Sequence, residues 1–299
     1  GALALECILQ RIYYVDLRGK LLFSIEPRIN DMNFAQFGPF AYRSNAASYL
    51  NLIWPLGVGL FIQLGRENLD YGKRRIGSGP ELLLIPCIIL AASGPFISSA
   101  RGGALVMVGL LILVAVSLIF IKVSSKFLRL SVSMTLFTVL IASYYFGWEK
   151  LESRLINSMQ GFEGRLSLSD MALNMIYEYP SFGSGPGSFE AVAQFELGDT
   201  FTTWQSWVHN DYLEFYLTFG KLGLAIIIAI SFIFTLQFLA KFLECSVRPL
   251  EWFSFIAFVG VLIHAIMDFP LQVYSILTVL TLIMTVILSL NAQHRRMPT

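Results

Sequence analysis

The chain has little charge and few cysteines or histidines, and each shortage excludes a class of protein or site. Only 14% of its 299 residues are charged, whereas 56% are hydrophobic. This balance excludes both an ordinary soluble domain and an intrinsically disordered chain. The formal net charge is only +1, and the basic residues form no patch interleaved with aromatics, so nucleic acid is not an expected partner.

The scarcity of reactive side chains also limits the chemistry. Cys7, Cys87 and Cys245 are odd in number, and the topology given below places Cys7 and Cys245 on opposite sides of a membrane, so no disulfide framework is expected. There is no Asp-x-Asp pair and no His/Cys cluster with metal-ligand spacing, so we expect no metal site and no cofactor. Ser188 lacks the strand-to-helix elbow of a nucleophilic serine.

Long apolar runs dominate what is present. A helix needs about 20 apolar residues to cross a hydrocarbon core of about 30 Å. Seven runs approach this length, near residues 46–65, 82–99, 103–121, 127–147, 221–240, 250–268 and 271–290. The sequence therefore predicts an all-α polytopic membrane protein with about seven transmembrane helices and one large extracytoplasmic loop that contains short helices.

The distribution of Lys and Arg between the runs predicts the orientation. Short connections after the first, third, fifth and seventh runs hold most of the basic residues and are assigned to the cytoplasm. The expected divisions are an extracytoplasmic segment 1–45, four spans in 46–147, an extracytoplasmic loop 148–220, three spans in 221–290 and a cytoplasmic tail 291–299.

The segment 1–45 is the exception to this bias, because it contains five basic residues. It looks loop-like, and the chain begins at Gly1 without a signal-peptide pattern. We therefore expect earlier spans to be missing from this chain.

The loop 148–220 has a pattern too regular for a linker. Apolar residues at helical spacing predict an amphipathic helix that starts at Gly164-Arg165 and ends at Pro180. These residues are Leu168, Met171, Ala172, Met175 and Ile176. The glycine-rich segment 182–189 that follows favours a structural turn over a phosphate loop.

A second helix is expected at the end of this loop. Asp211 and Glu214 have capping-box spacing, and the apolar residues after them predict a helix that bends at Gly220 and Gly223 before the fifth span.

His209 lies just before this second helix, at the boundary of the membrane. Histidine is the side chain whose ordinary pKa suits proton transfer near neutrality. Two roles are consistent with this position. His209 is either a catalytic base or a residue that only packs against or caps an interfacial helix.

Arg43, Arg101 and Arg165 share the predicted side of the membrane with His209. Arginine presents a planar set of donors that fits phosphate oxygens. Arg101 lies in a very short turn between two apolar runs, where it either faces protein or ligand or extends to the lipid headgroups. Arg165 is expected at the start of a helix, where its positive charge would oppose the helix dipole. This favours another partner for the Arg165 side chain.

His264 and Asp268 are four residues apart at the extracytoplasmic end of the sixth run. This spacing would place both on one face of a helix. A pair that orients helices is favoured here over a catalytic pair.

Six short segments occur in a specific order along the chain, at residues 40–50, 98–103, 164–165, 179–187, 209–214 and 264–272. Together they resemble successive signatures of the O-antigen ligase and polymerase superfamily. The resemblance extends over about residues 38–290, and one departure is Ser169-Asp170-Met171, where many members have a tryptophan. Members usually have around a dozen spans, which agrees with missing N-terminal ones.

The resemblance implies transfer of a glycan from an undecaprenyl diphosphate carrier to a sugar hydroxyl of a lipid-linked or growing glycan. The site would face the periplasmic side of a bacterial inner membrane, with membrane lipids around it. His209 would be the general base, and no metal would take part. The residues implied to bind substrate are Arg43, Asn45, Arg101, Arg165, Asn210, His264 and Asp268. Ligase and polymerase roles both remain open.

Two other classes stay open. Some relatives in this superfamily are labelled inorganic-carbon transporters, but a transporter should concentrate ionisable groups near mid-membrane in broken helices. Here those groups cluster at one surface. A non-catalytic scaffold for envelope assembly is the third class, and a neutral isosteric substitution of His209 would separate it from an enzyme.

The topology predicts that a cysteine at Ser158 reacts with a membrane-impermeant maleimide on intact cells, because the basic residues place the loop outside. The three native cysteines are replaced first, and Ser246→Cys, in a connection assigned to the cytoplasm, is the matched control. Labelling of Ser158→Cys only after lysis would invert the topology.

Overall fold

The structure is a computed structural model that describes residues 1–13, 36–70, 79–121, 125–156, 158–178, 181–197, 206–244 and 246–294. This part of the chain contains ten α-helices and no β-strand, and Phe37 and Phe40 form one isolated bridge. The helices are α1 Ala2–Ile12, α2 Arg43–Asp70, α3 Leu84–Ile97, α4 Arg101–Phe120, α5 Lys126–Ile156, α6 Ser158–Glu178, α7 Ser188–Leu197, α8 Asp211–Leu243, α9 Pro249–His264 and α10 Tyr274–His294. The all-α prediction is confirmed.

Five helices are long and apolar enough to cross a membrane. Their candidate spans are Arg43–Asn68, Pro80–Ile97, Arg101–Phe120, Lys126–Ile156 and Asp211–Leu243. The expected count of seven is not confirmed, because the apolar helices Pro249–His264 and Tyr274–Thr285 are shorter. At about 1.5 Å per residue, the 16 residues of α9 reach about 24 Å, short of a core of about 30 Å.

Several helix boundaries differ from the sequence expectations. The segment before residue 46 is not loop-like throughout, since α1 is helical and buries Ala4, Cys7 and Ile8. The fourth run continues as helix to Ile156, beyond the expected end at residue 147. The loop helix α6 begins at Ser158, so Arg165 lies in its interior.

The chain forms two compact units, and the first consists of Gly1–Leu155 with Val247–Val261. Its core is a single apolar cluster to which α1 to α5 and α9 contribute, with Trp54, Phe61 and Phe253 among the fully buried side chains. Close approach of α2 and α4 depends on Gly103, because a Cβ there would overlap Ala47. The buried Asn51 amide donates to the Gly103 carbonyl at 2.9 Å across the same contact. Small residues permit this kind of close helix packing in membranes.

The second unit consists of Ile156–Ser246 with Leu262–Thr299 and has its own core. One face of α6 packs against residues of α7 and α8 and against Val208, which lies in the segment just before α8. The buried members are Leu168, Ala172, Met175, Ile176, Phe189, Ala193, Val208 and Leu217. The predicted amphipathic face of the loop helix is thereby confirmed, although the helix begins earlier than expected.

A break in α8 at Gly220 anchors the glycine-rich turn. Gly220 has φ 64° and ψ −166°, so the helical hydrogen-bond ladder is interrupted there. The carbonyls of Leu217 and Thr218 instead accept from the backbone N–H groups of Ser184 and Gly185, at 2.8 and 3.0 Å. The turn therefore uses these amides to hold the fold, as the structural interpretation expected. Of the two predicted bends, only Gly220 has non-helical angles.

Gly220→Ala should destabilise the protein by about 2 kcal/mol or more. The left-handed angles are unfavourable for an L-residue, typically by about 1–3 kcal/mol, and the new Cβ would overlap the Ser181 carbonyl. Thermal unfolding of the detergent-solubilised protein measures the change. Gly109→Ala in α4 is the control, because a Cβ there meets nothing within 4 Å. Equal Tm values for the two variants would contradict the assigned role of the break.

Candidate functional site

The loop that leads into α8 places His209 in an unusual backbone conformation. Its φ is 60°, and within the described residues only Ser99 and His209 are non-glycine residues with positive φ. Val208 before it is fully buried in the core of the second unit. Asn210 after it is the N-cap of α8. Left-handed residues other than glycine are uncommon and are found disproportionately at functional sites.

The imidazole of His209 contacts residues from the turn after α9. Its Nδ1 lies 3.0 Å from Asp268 Oδ1, and its ring meets the Phe269 ring edge-on, with centroids 5.1 Å apart. Trp207 stacks on the same Phe269 at 4.9 Å. The His209 side chain nevertheless keeps 21% of its surface exposed, so it combines a buried partner with access from outside the protein.

Asp268 receives donors from three parts of the second unit. Oδ1 accepts from His209 and from the Phe269 N–H, the latter at 3.1 Å, and Oδ2 lies 3.4 Å from the Arg165 guanidinium. Burial raises the pKa of Asp268, but the hydrogen bond from His209 and nearby positive charge, including that of Arg165, outweigh it, so the pKa lies below its ordinary value. Asp268 is therefore a carboxylate at neutral pH.

An ionised Asp268 defines which nitrogen of His209 bears the proton. A carboxylate only accepts hydrogen bonds, so Nδ1 must donate. In the neutral ring, Nε2 is then the unprotonated nitrogen and is able to accept a proton. This is the tautomer that a general base needs, with its reactive nitrogen directed away from the carboxylate.

Arg165 is bound to the same turn. One guanidinium nitrogen donates to the Met267 carbonyl at 2.8 Å and another approaches Asp268. One expectation about Arg165 is therefore corrected, because it lies inside α6 and not at a helix start. Asp268 is an acidic partner for its charge, and a partner other than the helix end was expected. That partner is 103 residues away, so local spacing could not show it. The Arg165 side chain remains 32% exposed.

The expected His264–Asp268 helical pair is also corrected. α9 ends at His264, and Asp268 is reached through one further turn in which its N–H donates to the His264 carbonyl at 3.0 Å. The His264 residue is 1% exposed. This burial favours a structural role for His264, whereas the Asp268 carboxylate lies against His209.

Asn210 has a local structural task. Its Oδ1 accepts from the N–H groups of Tyr212 and Leu213, at 3.1 and 3.3 Å. The helix cap is therefore Asn210, and not Asp211 as the capping-box spacing suggested. An N-cap side chain satisfies amides that have no partner within the helix.

The sequence pattern at Asp211 and Glu214 indicated a helix start and did not indicate that they belong to the site. Both are buried, at 0% and 2% exposure. Asp211 Oδ2 accepts from the Leu271 N–H at 2.7 Å, and Glu214 Oε2 accepts from the Val208 N–H at 3.1 Å. Their spacing was a signal of helix initiation, but it could not reveal partners in a distant turn.

The first unit contains the other expected arginines. Arg101 begins α4, directly after a tight turn in which Ser99 has φ 58°. The Ser99 carbonyl accepts from Arg154 at 2.9 Å, and the Ser98 carbonyl accepts from Arg11 at 3.4 Å. Guanidinium groups thus surround the turn that leads to Arg101.

Arg43 and Asn45 both lie in the first turn of α2. The positive charges of Arg11 and Arg101 act on Arg43, so these three arginines of the first unit lie near one another. The Asn45 N–H donates to the Tyr42 carbonyl at 3.1 Å.

Fold and site together define a multi-pass, all-helical membrane protein with a histidine–carboxylate–arginine cluster beside a helix start. Residues 86–228 match the model of the O-antigen ligase family and include Arg101, Arg165 and His209. This match supports the O-antigen ligase and polymerase superfamily that the motifs indicated. No curated protein and no solved structure matches the chain.

Asn210→Ala should lower the free energy of unfolding by about 1 kcal/mol, the usual cost of losing an N-cap side chain. Asn210→Ser should retain most of the stability because serine also caps. Thermal unfolding of the purified protein distinguishes these outcomes. If both variants unfold with the wild type and lose substrate affinity instead, Asn210 binds substrate and its capping bonds are incidental.

Proposed function

We propose that this protein transfers a glycan from an undecaprenyl diphosphate carrier to a hydroxyl of an acceptor sugar, with His209 as general base and without a metal. The match to the O-antigen ligase family supports an enzyme that acts on lipid-linked glycans. The observation that supports this mechanism is the 3.0 Å contact between His209 Nδ1 and Asp268, because it leaves Nε2 to act as the base.

In the proposed reaction, the acceptor hydroxyl attacks the anomeric carbon of the donor glycan. A new carbon–oxygen bond forms while the bond from that carbon to the diphosphate oxygen breaks. The hydroxyl proton passes to His209 Nε2, and the lipid diphosphate leaves with the electron pair. A general base in this role typically contributes about 10²- to 10⁴-fold in rate.

Asp268 supports His209 in two ways. Its hydrogen bond orients the ring, and its charge stabilises the imidazolium that forms when the proton is transferred, as in other histidine–carboxylate arrangements. Arg165 holds Asp268 and the Met267 carbonyl, so it keeps the carboxylate in place and adds positive charge near the reacting groups.

The leaving diphosphate requires positive charge, and arginine is suited to phosphate oxygens. Arg101 is proposed to bind it, with Arg43 contributing to the field and Arg165 acting as the second ligand. The topology inferred from the sequence assigns all three to the same side as His209. We place this side in the periplasm of a bacterial inner membrane.

The test compares His209→Gln with Arg101→Ala in the purified full-length protein, using a lipid-diphosphate-linked glycan as donor. His209→Gln should reduce the transfer rate at least about 10²-fold and leave donor affinity near wild type. Arg101→Ala should weaken donor binding, and Arg101→Lys should recover only part of it, because lysine keeps the charge but lacks the planar donor set.

Transfer and direct donor binding are measured separately, so base and ligand roles are distinguished. Ser158→Ala in α6 serves as a control for substitution in the same loop. Near-normal transfer by His209→Gln would remove the general-base role and favour a padding or capping role. Wild-type donor affinity in Arg101→Ala would remove the diphosphate role.

A further inference from the structure

The unusual conformation of His209 needs a cause within the fold. A residue with φ near 60° is less stable than one in an ordinary conformation, typically by about 1–3 kcal/mol. The surrounding contacts must therefore select this conformation. It determines the direction of the imidazole, and hence whether Nδ1 reaches Asp268.

Glu214 fixes the backbone immediately before His209. Its Oε2 accepts from the Val208 N–H at 3.1 Å, and its own N–H donates to the Asn210 carbonyl at 3.0 Å. Glu214 therefore contacts the residues on both sides of His209. The Val208 side chain is buried in the core of the second unit, so the segment is held through both its backbone and its side chain.

This contact goes beyond helix capping. Asn210 already accepts from the amides of Tyr212 and Leu213 at the start of α8. Glu214, in the same first turn, reaches back past the cap to Val208. A buried carboxylate is costly unless it is hydrogen-bonded, so its presence at 2% exposure indicates a specific requirement at this position.

Asp211 fixes the turn that contains Asp268, the hydrogen-bond partner of His209, in a similar way. Its Oδ2 accepts from the Leu271 N–H at 2.7 Å, and its N–H donates to the Ala265 carbonyl at 2.9 Å. These two contacts lie on either side of Asp268 along the chain. The first turn of α8 therefore holds both halves of the His209–Asp268 pair.

We propose that Glu214 and Asp211 are positioning residues that hold His209 in its left-handed conformation and Asp268 within hydrogen-bond distance of it. The inference rests on the proposed function, because it concerns how the general base is aligned. Neither carboxylate touches substrate in this proposal. Glu214 acts through the Val208 amide, and Asp211 acts through the turn that contains Asp268.

The test observes His209 directly, without an enzymatic assay. The full chain has three histidines, so ¹⁵N-histidine labelling gives few ring signals, and His209→Gln identifies the signal of His209. Spectra are recorded at mildly alkaline pH, where an ordinary imidazole is neutral. In the wild type we expect one tautomer, protonated at Nδ1.

Two substitutions of Glu214 remove its contact in different ways. Glu214→Met has a similar size but no acceptor, and Glu214→Asp keeps the carboxyl group but is one methylene too short. Both should give a mixture of His209 tautomers and a transfer rate lower by roughly 10- to 100-fold, the scale expected from misplacing a catalytic group by about 1 Å. KM should change little. Glu214→Gln, which keeps an acceptor oxygen, should restore both the signal and most of the rate.

Glu251 supplies the matched control. It is also 2% exposed and accepts from a preceding backbone amide, that of Arg248 at 3.1 Å, at the start of α9. Glu251→Gln and Glu251→Met should leave the His209 signal unchanged. Asp211→Asn and Asp211→Ala test the other half, with loss of the Nδ1–H signal expected for Asp211→Ala.

An unchanged His209 signal in folded Glu214→Asp or Glu214→Met protein would overturn the proposal, whatever the transfer rate. If Glu214→Met does not fold, Glu214→Asp and Asp211→Ala still decide it through the same signal. A shifted tautomer together with normal transfer would support the positioning contact but refute the general-base function. The two failures are therefore distinguishable.

Discussion

The arrangement of the candidate site depends on one buried carboxylate, that of Asp268. Removing a charge from water is costly unless several donors replace the lost hydration. Asp268 obtains these donors from the imidazole of His209, the guanidinium of Arg165 and the amide of Phe269. These donors come from three places in the chain. Hydrogen bonding of this one buried charge therefore requires the loop helix α6, the segment before α8 and the turn after α9 to lie close together.

The same requirement explains why polar groups of this unit occur as a network. Asp211 and Glu214 are buried as well, and each accepts from a backbone amide outside its own helix. A network in which every member is bonded is rigid, whereas loss of one member leaves a costly buried group. Rigidity of this kind suits a base whose orientation must be maintained, and it leaves the apolar core of the unit to provide most of the packing.

Much of the fold could be predicted from the sequence, because helical periodicity and the length of apolar runs are local properties. The buried face of α6, with Leu168 and Ala172, follows the 3.6-residue repeat. The break at Gly220 was also expected from a local signal. By contrast, the early end of α9 was missed: residues 265–268 are apolar enough to resemble helix, while their turn is stabilised by contacts with Asp211 and Arg165.

The site could be predicted only in part, because most of its contacts are not local in sequence. Residue type and position pointed to His209 and Arg165, and both belong to one cluster in the structure. Their common partner could not be identified, since Asp268 is 59 residues from His209 and 103 from Arg165. The left-handed conformation of His209 was equally hidden, because the contacts that hold it, such as that of Glu214 with Val208, give no local sequence signal.

The break at Gly220 also divides α8 between two surroundings. Before it, Asp211, Glu214 and Thr218 are buried in protein, whereas after it residues such as Ile226 and Ile230 are exposed on the apolar surface. A continuous helix would transmit any change of tilt along its whole length, and bilayers of different thickness impose different tilts. An interrupted hydrogen-bond ladder lets the lipid-facing part reorient at the glycine. A change of tilt in the exposed part can then be taken up at Gly220 before it reaches the part that bears the polar network.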